Sequence, residues 1–317
     1  MIIDKILNNK STAFSFEVSP PIKGNSLDSL FATIDRLREF DPKYINITTH
    51  RSELVYKNTD GGLFEAATLR RRPGTVAIAA AIKHKYNIDV VPHILCSGFS
   101  REETEYVLID LNFLDIHDLL VLRGDKAPQD KRFTPVKDGY SHATELQQQI
   151  NRFNEGIFCD GSSIPDKPAV PFSYGVAGYP EKHEEALNFD IDLKYLKEKV
   201  DNGAAYVVTQ MFFDNQKYFD FVDKCRAVGI NVPIIPGIKP VKRLAQLPVL
   251  AKTFRVDIPS DFVCELEKCK TEAEQELCGI EWCTMQAKDL IAHNVPSIHF
   301  YAINASNSVA AVAKNCY

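Results

Sequence analysis

Glu17 is the residue of this sequence with the clearest capacity for acid–base chemistry. It stands between Phe16 and Val18 at the end of a short apolar run, and Pro20 and Pro21 follow it closely. Apolar neighbours remove water from a carboxyl group and favour its protonated form, which could then donate a proton near neutral pH. A carboxylate that pairs with a basic side chain is an equally good interpretation of this local sequence.

Two further groups of polar residues follow apolar runs. Arg123, Gly124 and Asp125 come directly after a leucine-rich run, and Gln210 follows a valine-rich one. An arginine suits a phosphate or a planar ring, and Gly124 permits the close approach of a ligand. Asp125 could interact with a charged heterocycle. The side-chain amide of Gln210 offers a donor and an acceptor to a substrate. A plain salt bridge at the end of a strand remains an alternative interpretation of Arg123 and Asp125.

Other candidate residues are weaker when each is taken alone. His93 follows Pro92, and such a histidine is more often a buried core residue than a ligand. Tyr179 lies in a tight turn between Gly178 and Pro180. No residues with metal-ligand spacing emerge, and the sequence has neither a glycine-rich dinucleotide fingerprint nor a P-loop. We therefore predict no metal site.

Eight short apolar runs position these residues, and nearly all of the runs end in a polar residue. Their β-branched character is typical of parallel strands that helices cover. Eight strands separated by helical stretches predict an α/β fold, a single-domain (β/α)8 TIM barrel over residues 1–317. The C-terminal strand ends of such a barrel form the face with the active site, so the pattern indicates an enzyme. The predicted strands are 13–18, 44–49, 89–95, 118–122, 172–177, 205–211, 232–238 and 297–303.

The stretches between the strands have apolar residues at helical spacing. The last interval contains two of these helices, with Pro259 between them. Segments 126–139 and 154–168 are polar and contain prolines, so we predict irregular connections there. The predicted helices are 27–38, 64–85, 101–111, 140–153, 193–202, 216–228, 241–254 and 272–293.

The composition argues against several classes of protein. The net charge of −5 disfavours a nucleic-acid or membrane-surface partner. No apolar run reaches the roughly 18 residues of a membrane span. The N-terminal residues lack the pattern of a secretory signal, and the eight cysteines lack the spacing of a zinc module. We therefore expect free thiols and a cytoplasmic protein.

In their order along the chain, these motifs resemble the methylenetetrahydrofolate reductase family. The resemblance extends essentially from one end of the chain to the other. Any one of the motifs would be a weak signal, but their shared order on consecutive predicted strands is specific. They are Phe-Glu-x-x-Pro-Pro from Phe16, Pro-His at Pro92, Leu-Arg-Gly-Asp from Leu122, Val-Ala-Gly-Tyr-Pro-Glu-x-His from Val176, Asp192 with Leu-Lys-x-Lys from Leu196, Thr-Gln-x-Phe-Phe-Asp from Thr209, Ile-Pro-Gly-Ile from Ile235 and His-Phe-Tyr from His299.

The resemblance implies a flavin enzyme of one-carbon metabolism and methionine biosynthesis. In this family a hydride passes from NADH or NADPH to noncovalently bound FAD, and then to methylenetetrahydrofolate, giving methyltetrahydrofolate. The resemblance implies that Glu17 is the general acid, that Asp125 tunes flavin and pterin, and that Gln210 contacts the pterin and the nicotinamide. We also expect a homo-oligomer. The residues implied to surround FAD are Thr48, His93, Arg123, Gly124, Asp125, His142, Tyr179, His183, Asp192 and Lys199.

Two positions depart from the family pattern. An arginine that can meet the glutamate tail of folate usually follows Asn304, but this chain has Ala305 there. An aromatic residue commonly precedes the segment that starts here at Ala143. This chain has His142 in that place and Tyr140 two residues earlier, so which of the two reaches FAD stays open.

Two other functions remain open at this stage. A flavin barrel of the proline-oxidising type would act on a different small molecule, and activity with methylenetetrahydrofolate distinguishes it. A catalytically silent barrel subunit is the second alternative, although it would have no need of Glu17, Asp125 and Gln210 together. The choice between NADH and NADPH also stays open.

Overall fold

The computed structural model describes residues 1–9, 11–59, 62–127 and 130–317. Strands and helices alternate over most of this length. The strands are β1 (Ala13–Val18), β2 (Tyr44–Ile47), β3 (Glu53–Asn58), β4 (Phe64–Leu69), β5 (Val90–Leu95), β6 (Asp118–Leu122), β7 (Ser173–Gly178), β8 (Tyr206–Thr209), β9 (Ile234–Ile235), β10 (Gly237–Ile238) and β11 (Ser297–Phe300). The α-helices are α1 (Ile2–Leu7), α2 (Asp28–Leu37), α3 (Thr75–Tyr86), α4 (Arg101–Phe113), α5 (Ala143–Glu155), α6 (Phe189–Asp201), α7 (Asn215–Ala227), α8 (Leu247–Phe254), α9 (Ser260–Lys268), α10 (Glu272–Ala292) and α11 (Ser306–Lys314).

Local sequence signals account for the starts of several helices. At α4, Ser100 Oγ accepts the Glu103 backbone N–H at 3.2 Å, and Glu103 Oε2 accepts the Ser100 N–H at 2.9 Å. Thr271 and Glu274 form the same reciprocal pair at the start of α10. These bonds satisfy N–H groups that have no acceptor within the first helical turn.

The chain divides into two compact units, the first of which consists of Met1–Val18, Phe31–Asn46 and Ser173–Tyr317. The paired strands of this unit are parallel. β11 pairs with β1 and with β10, and β8 pairs with β7 and with β9. This arrangement brings the C-terminal ends of paired strands to the same edge of the sheet.

Aromatic packing fills the interior of the first unit. β1 is buried at all six positions. Phe14 packs against Phe300 with ring centroids 5.3 Å apart. In a second cluster, Phe262 stacks on Trp282 at 4.6 Å and on Phe213 at 6.0 Å. Side chains of this size contribute strongly to the free energy of folding because each buries a large apolar area.

The second unit consists of Ser19–Leu30 and Ile47–Phe172. Within it, β5 and β6 are parallel neighbours. β3 and β4 form an antiparallel hairpin in which Glu53 lies opposite Leu69.

This hairpin shows that the predicted helix over 64–85 was wrong in its first part. Residues 64–69 form β4, and α3 begins only at Thr75. Pro73 and Gly74 separate the two elements because proline lacks a backbone N–H and glycine is a poor helix former. Ala66 and Ala67 favour a helix by propensity, but cross-strand hydrogen bonding with β3 outweighs that weak preference.

The remaining differences concern short elements. The strand predicted over 232–238 is two short strands on either side of Pro236, which cannot donate a ladder hydrogen bond. α9 starts directly after Pro259, between the two helices predicted for that interval. The terminal helices α1 and α11 have too few turns to give a clear periodic signal. In segment 126–139 the described residues form no helix; residues 128 and 129 lie outside the described part of the chain.

Parallel strands that alternate with helices give the predicted α/β fold of the (β/α)8 barrel class. Among the described helices, none has the length and apolar character that a membrane crossing requires. Within the same described residues, no three His, Cys, Asp or Glu side chains form a group that could hold a metal ion. All eight cysteines are free thiols.

Candidate active site

Glu17 lies near the C-terminal end of β1 and is almost enclosed, with 8% of its surface exposed. Burial raises the pKa of its carboxyl from 4.5 to about 7, and the Lys239 ammonium opposes part of this rise. Desolvation and a basic neighbour, the two interpretations that the sequence left open, are therefore both present. A carboxyl with a pKa near 7 suits proton donation at neutral pH.

Glu17 belongs to a row of polar residues that follows three neighbouring strands. Three positions are paired in register across β1, β11 and β10, and each is followed directly by a polar residue of this row. The three polar residues are Glu17, Tyr301 and Lys239. Lys239 Nζ donates to the backbone oxygens of Tyr301 at 3.1 Å and Ile303 at 3.0 Å. Tyr301 OH donates to the Thr209 carbonyl at 2.6 Å. These bonds fix an ammonium and a phenol at the level of the buried carboxyl.

Gln210 follows β8 in the same unit and is partly buried. Its backbone N–H donates to the Gly178 carbonyl at 2.8 Å, which fixes its position at the strand end. Its side-chain Oε1 accepts the Met211 backbone N–H at 2.9 Å. A substrate that used this amide oxygen as its acceptor would have to compete with that bond.

Four of the residues assigned by resemblance to FAD form a cluster after β7. Tyr179 and His183 pack edge to face with ring centroids 4.7 Å apart. Asp192 Oδ2 accepts the His183 backbone N–H at 2.8 Å. Lys199 Nζ donates to the Ala177 carbonyl at 3.0 Å and lies 6.0 Å from the centre of the Tyr179 ring. The structure thus brings Tyr179, His183, Asp192 and Lys199 together.

In the second unit, Thr48 lies in a hydrogen-bonded group just after β2. Thr48 Oγ1 donates to Ser19 Oγ at 3.1 Å, and His50 Nε2 lies 2.9 Å from Ser19 Oγ. Thr49 Oγ1 donates to the His93 carbonyl, which links this group to β5. His93 is 6% exposed, and burial, with a smaller effect of His50, lowers its pKa to about 3. Its imidazole is therefore neutral near pH 7.

Arg123, Gly124 and Asp125 follow β6 and pack against Ser97. The Arg123 guanidinium lies 4.9 Å from the centre of the Phe133 ring. Gly124 has a φ of +79°, and a Cβ there would come within 2.9 Å of Ser97 Cβ, so glycine is required. The Asp125 side chain is exposed, and its carbonyl accepts the Ser97 hydroxyl at 2.8 Å.

His142 and Tyr140 occupy different environments at the start of α5. His142 is exposed, and its backbone N–H donates to Glu145 Oε2 at 2.9 Å. Tyr140 is partly buried, and the Arg101 guanidinium lies 5.1 Å from its ring centre. Burial raises the pKa of the Tyr140 hydroxyl. The more accessible of the two side chains is His142.

Sequence reasoning did not single out Lys239 or Tyr301 as site residues, although Tyr301 lies in the predicted strand 297–303. Lys239 directly follows the predicted strand 232–238, and this position after a strand is the pattern that indicated the other candidate residues. Ala305 is 3% exposed at the start of α11. Lys239 donates to the backbone oxygens of Tyr301 and Ile303, in the segment just before Ala305.

The fold and the polar groups at its strand ends define an α/β barrel protein with a buried carboxyl among these groups. An uncharacterized protein from Clostridium thermocellum has a similar structure, with a TM-score of 0.58 and 14% identity, covering 99% of this chain and 98% of that one. That protein is described as binding two copies of 5-methyl-5,6,7,8-tetrahydrofolic acid. At this identity the similarity shows the fold alone.

Sequence comparison is more specific. Residues 2–317 match the family described as Methylenetetrahydrofolate reductase, and the chain belongs to this family. Methylenetetrahydrofolate reductase (NADH) 1 of Arabidopsis thaliana is 30% identical, covering 99% of this chain and 50% of the relative. The 5,10-methylenetetrahydrofolate reductase of Salmonella typhimurium is 30% identical, covering 94% of this chain and 88% of the relative.

The relatives differ in length and in the nicotinamide that their names specify. A probable methylenetetrahydrofolate reductase (NADPH) of Caenorhabditis elegans is 28% identical, covering 99% of this chain and 43% of the relative. The chain thus spans about half the length of the plant and nematode relatives and most of the bacterial one.

Proposed function

We propose that this chain reduces 5,10-methylenetetrahydrofolate to 5-methyltetrahydrofolate with NADH or NADPH, through noncovalently bound FAD. Family membership over residues 2–317 supports the reaction class. The observation that supports it most strongly is the buried Glu17, whose pKa is raised to about 7, because opening the methylene bridge requires a proton donor. The proposal includes a cytoplasmic homo-oligomer that supplies methyl groups for methionine biosynthesis.

The residues assigned to FAD suit the chemistry of this cofactor. FAD has a diphosphate, a hydroxyl-bearing chain and a planar ring. Arg123 offers a cation for the diphosphate, while the Thr48 hydroxyl offers a neutral hydrogen-bonding group. Gly124 has a positive φ and packs against Ser97, which fixes the turn between Arg123 and Asp125. The full set that the proposal assigns to FAD is Thr48, His93, Arg123, Gly124, Asp125, His142, Tyr179, His183, Asp192 and Lys199.

In the proposed reaction Glu17 acts on the folate. Its O–H bond breaks as an N–H bond forms on the folate nitrogen that leaves the methylene carbon. The C–N bond breaks with its electron pair going to that nitrogen, and the methylene group becomes an iminium. FAD, when bound and already reduced by NADH or NADPH, would supply the hydride that the methylene carbon accepts. The enclosure of Glu17 keeps water from competing for its proton.

Gln210 and Asp125 have supporting roles in the proposal. Gln210 would turn its amide from the Met211 N–H to a polar edge of the pterin, and it would contact the nicotinamide in the other half-reaction. Asp125 would place a negative charge near flavin and pterin, which disfavours added electron density on the ring.

An absorbance spectrum of the purified protein, followed by anaerobic addition of NADH or NADPH, tests this proposal. We expect flavin absorbance that the nicotinamide bleaches and that methylenetetrahydrofolate then restores. L-Proline, the control for a proline-oxidising barrel, should not bleach it. A protein that shows no flavin absorbance even after soaking in FAD, or whose reduced flavin does not respond to the folate, contradicts the proposal.

A further inference from the structure

Lys239 lies at the end of β10, and backbone hydrogen bonds fix the position of its ammonium. It follows β10 directly, and two of its three ammonium protons are directed at the carbonyl oxygens of Tyr301 and Ile303, at 3.1 and 3.0 Å. Pro240 comes next in the chain and fixes the backbone as it leaves the strand. The ammonium is therefore held at the strand ends by two backbone acceptors.

The register of the strands places this ammonium at the level of Glu17. β11 lies between β10 and β1, and the residues that precede Lys239, Tyr301 and Glu17 are paired across these strands. Lys239 and Glu17 each act electrostatically on the pKa of the other. Tyr301, between them, donates its hydroxyl proton to the Thr209 carbonyl, so its phenol does not neutralise the carboxylate by donating to it.

The other ionisable groups around this pair come from several elements. Tyr44 of β2 and Tyr179 after β7 face Tyr301, and burial holds the pKa of Tyr44 at about 12. Cys283 of α10 and Lys242 face Lys239. Burial keeps the Cys283 thiol neutral, and Lys242 pairs with Glu276 at 3.5 Å. Lys239 is thus a positive charge that lowers the pKa of Glu17.

We propose that Lys239 is a positioning residue for the folate half-reaction, which holds its ammonium beside Glu17 and stabilises the carboxylate that remains once Glu17 has given up its proton. This inference rests on the proposed role of Glu17 as the acid. When the proton moves to the leaving folate nitrogen, a negative charge appears on an almost enclosed carboxyl. A charge without a partner in such surroundings is costly, and a nearby cation offsets that cost.

The coupling has a definite sign. Burial raises the pKa of Glu17, and Lys239 lowers it toward the value of about 7. Without the ammonium, the pKa of Glu17 must rise, and the protonated form must persist to higher pH. The acid would then be present over a wider pH range but would release its proton less readily.

Titration of Glu17 in three variants of Lys239 tests the inference. The carboxyl infrared band of Glu17 is identified as the band that disappears in Glu17→Gln, and its pH midpoint is then measured. We expect Lys239→Met and Lys239→Gln to raise that midpoint by about one pH unit, the low end of what an opposite charge contributes. Lys239→Arg keeps the charge and should leave the midpoint near that of the wild type. Lys242→Gln, which removes a lysine paired elsewhere, is the matched control and should not move it.

Stopped-flow kinetics connects the titration to the reaction. In Lys239→Met, the pH at which the folate half-reaction slows should move upward with the infrared midpoint, while reduction of the flavin by the nicotinamide should be unchanged. An unmoved midpoint in both neutral variants overturns the inference, and so does a raised Michaelis constant for folate as the sole effect. If wild-type protein fails to reduce folate while the midpoint still moves, the proposed function fails and the coupling of Lys239 to Glu17 stands.

Discussion

At the scale of the residue, two opposing effects determine the pKa of Glu17. Burial disfavours the charged form, and Lys239 favours it. Between pH 4.5 and about 7 the folded protein holds a proton that the unfolded chain has released. The protonated carboxyl therefore contributes its full amount to the free energy of unfolding below pH 4.5. This contribution is lost as the pH rises through about 7.

Glu17→Gln should remove this pH dependence. Between about pH 5 and about pH 8, the free energy of unfolding should fall by up to about 3 kcal/mol more in the wild-type protein than in the variant. One pKa unit corresponds to about 1.4 kcal/mol. Urea denaturation of both proteins at the two pH values measures the difference, and all other titrating groups cancel. If the free energy of unfolding falls equally in the two proteins, the pKa of the Glu17 carboxyl is not raised.

Asp125→Asn tests the second proposed carboxylate. Asp125 is exposed, so its charge is screened and contributes at most about 1 kcal/mol to a neighbouring group. Removing a negative charge near the flavin should raise its reduction potential, by no more than about 20 mV on the scale of 30 mV per 1.4 kcal/mol. Dye-linked potentiometry gives this value. Potential and folate kinetics that both match those of the wild type would contradict the assignment of Asp125.

Residue types predicted the desolvation of Glu17 but not the side chains around it. The apolar residues on either side of Glu17 indicated desolvation, and the structure shows it. Lys239 was not predicted because its approach to Glu17 depends on the pairing of β1, β11 and β10, which joins the two ends of the sequence. Local sequence has no information on such a long-range register.

At the scale of the element, two strands were predicted with their observed limits. β6 was predicted with its observed limits, and β1 as well, because apolar residues make up most of both strands. β4 was mistaken for the start of a helix because its side chains are exposed or partly exposed. Its pairing with β3, and not its composition, determines its conformation.

The packing of α10 against the segment after β10 gives a prediction at this scale. A Cβ on Gly279 of α10 would lie 1.8 Å from the Val241 carbonyl oxygen, a backbone atom that cannot move aside easily. Gly279→Ala should therefore lower the free energy of unfolding by about 2 kcal/mol or more. Gly74→Ala is the control, because a Cβ there meets nothing within 4 Å and its cost at a helix N-cap is about 1 kcal/mol at most. Similar losses in the two variants, measured by urea denaturation, would contradict this account of the packing.

At the scale of the whole molecule, the order of motifs along the chain was more informative than any one of them. Family membership over residues 2–317 agrees with the resemblance drawn from these motifs. The barrel class was predictable because each strand and its helix leave a local signal. The two compact units and the β3–β4 hairpin were not, since they depend on contacts between distant parts of the sequence.

The central claim is that Glu17 supplies the proton for folate reduction, and following the two half-reactions separately tests it most directly. Glu17→Gln keeps the size of the side chain but cannot act as the acid. Glu181→Gln is the matched control, since burial also raises the pKa of Glu181 to about 7.

Stopped-flow absorbance should show that anaerobic NADH or NADPH reduces the flavin of Glu17→Gln at a near-normal rate. Reoxidation by methylenetetrahydrofolate should be slower by about 10²–10⁴-fold, the usual contribution of a general acid. Glu181→Gln should match the wild type in both steps. If the Glu17→Gln flavin is reoxidised by the folate within a few-fold of the wild-type rate, Glu17 is not the acid and the account is contradicted.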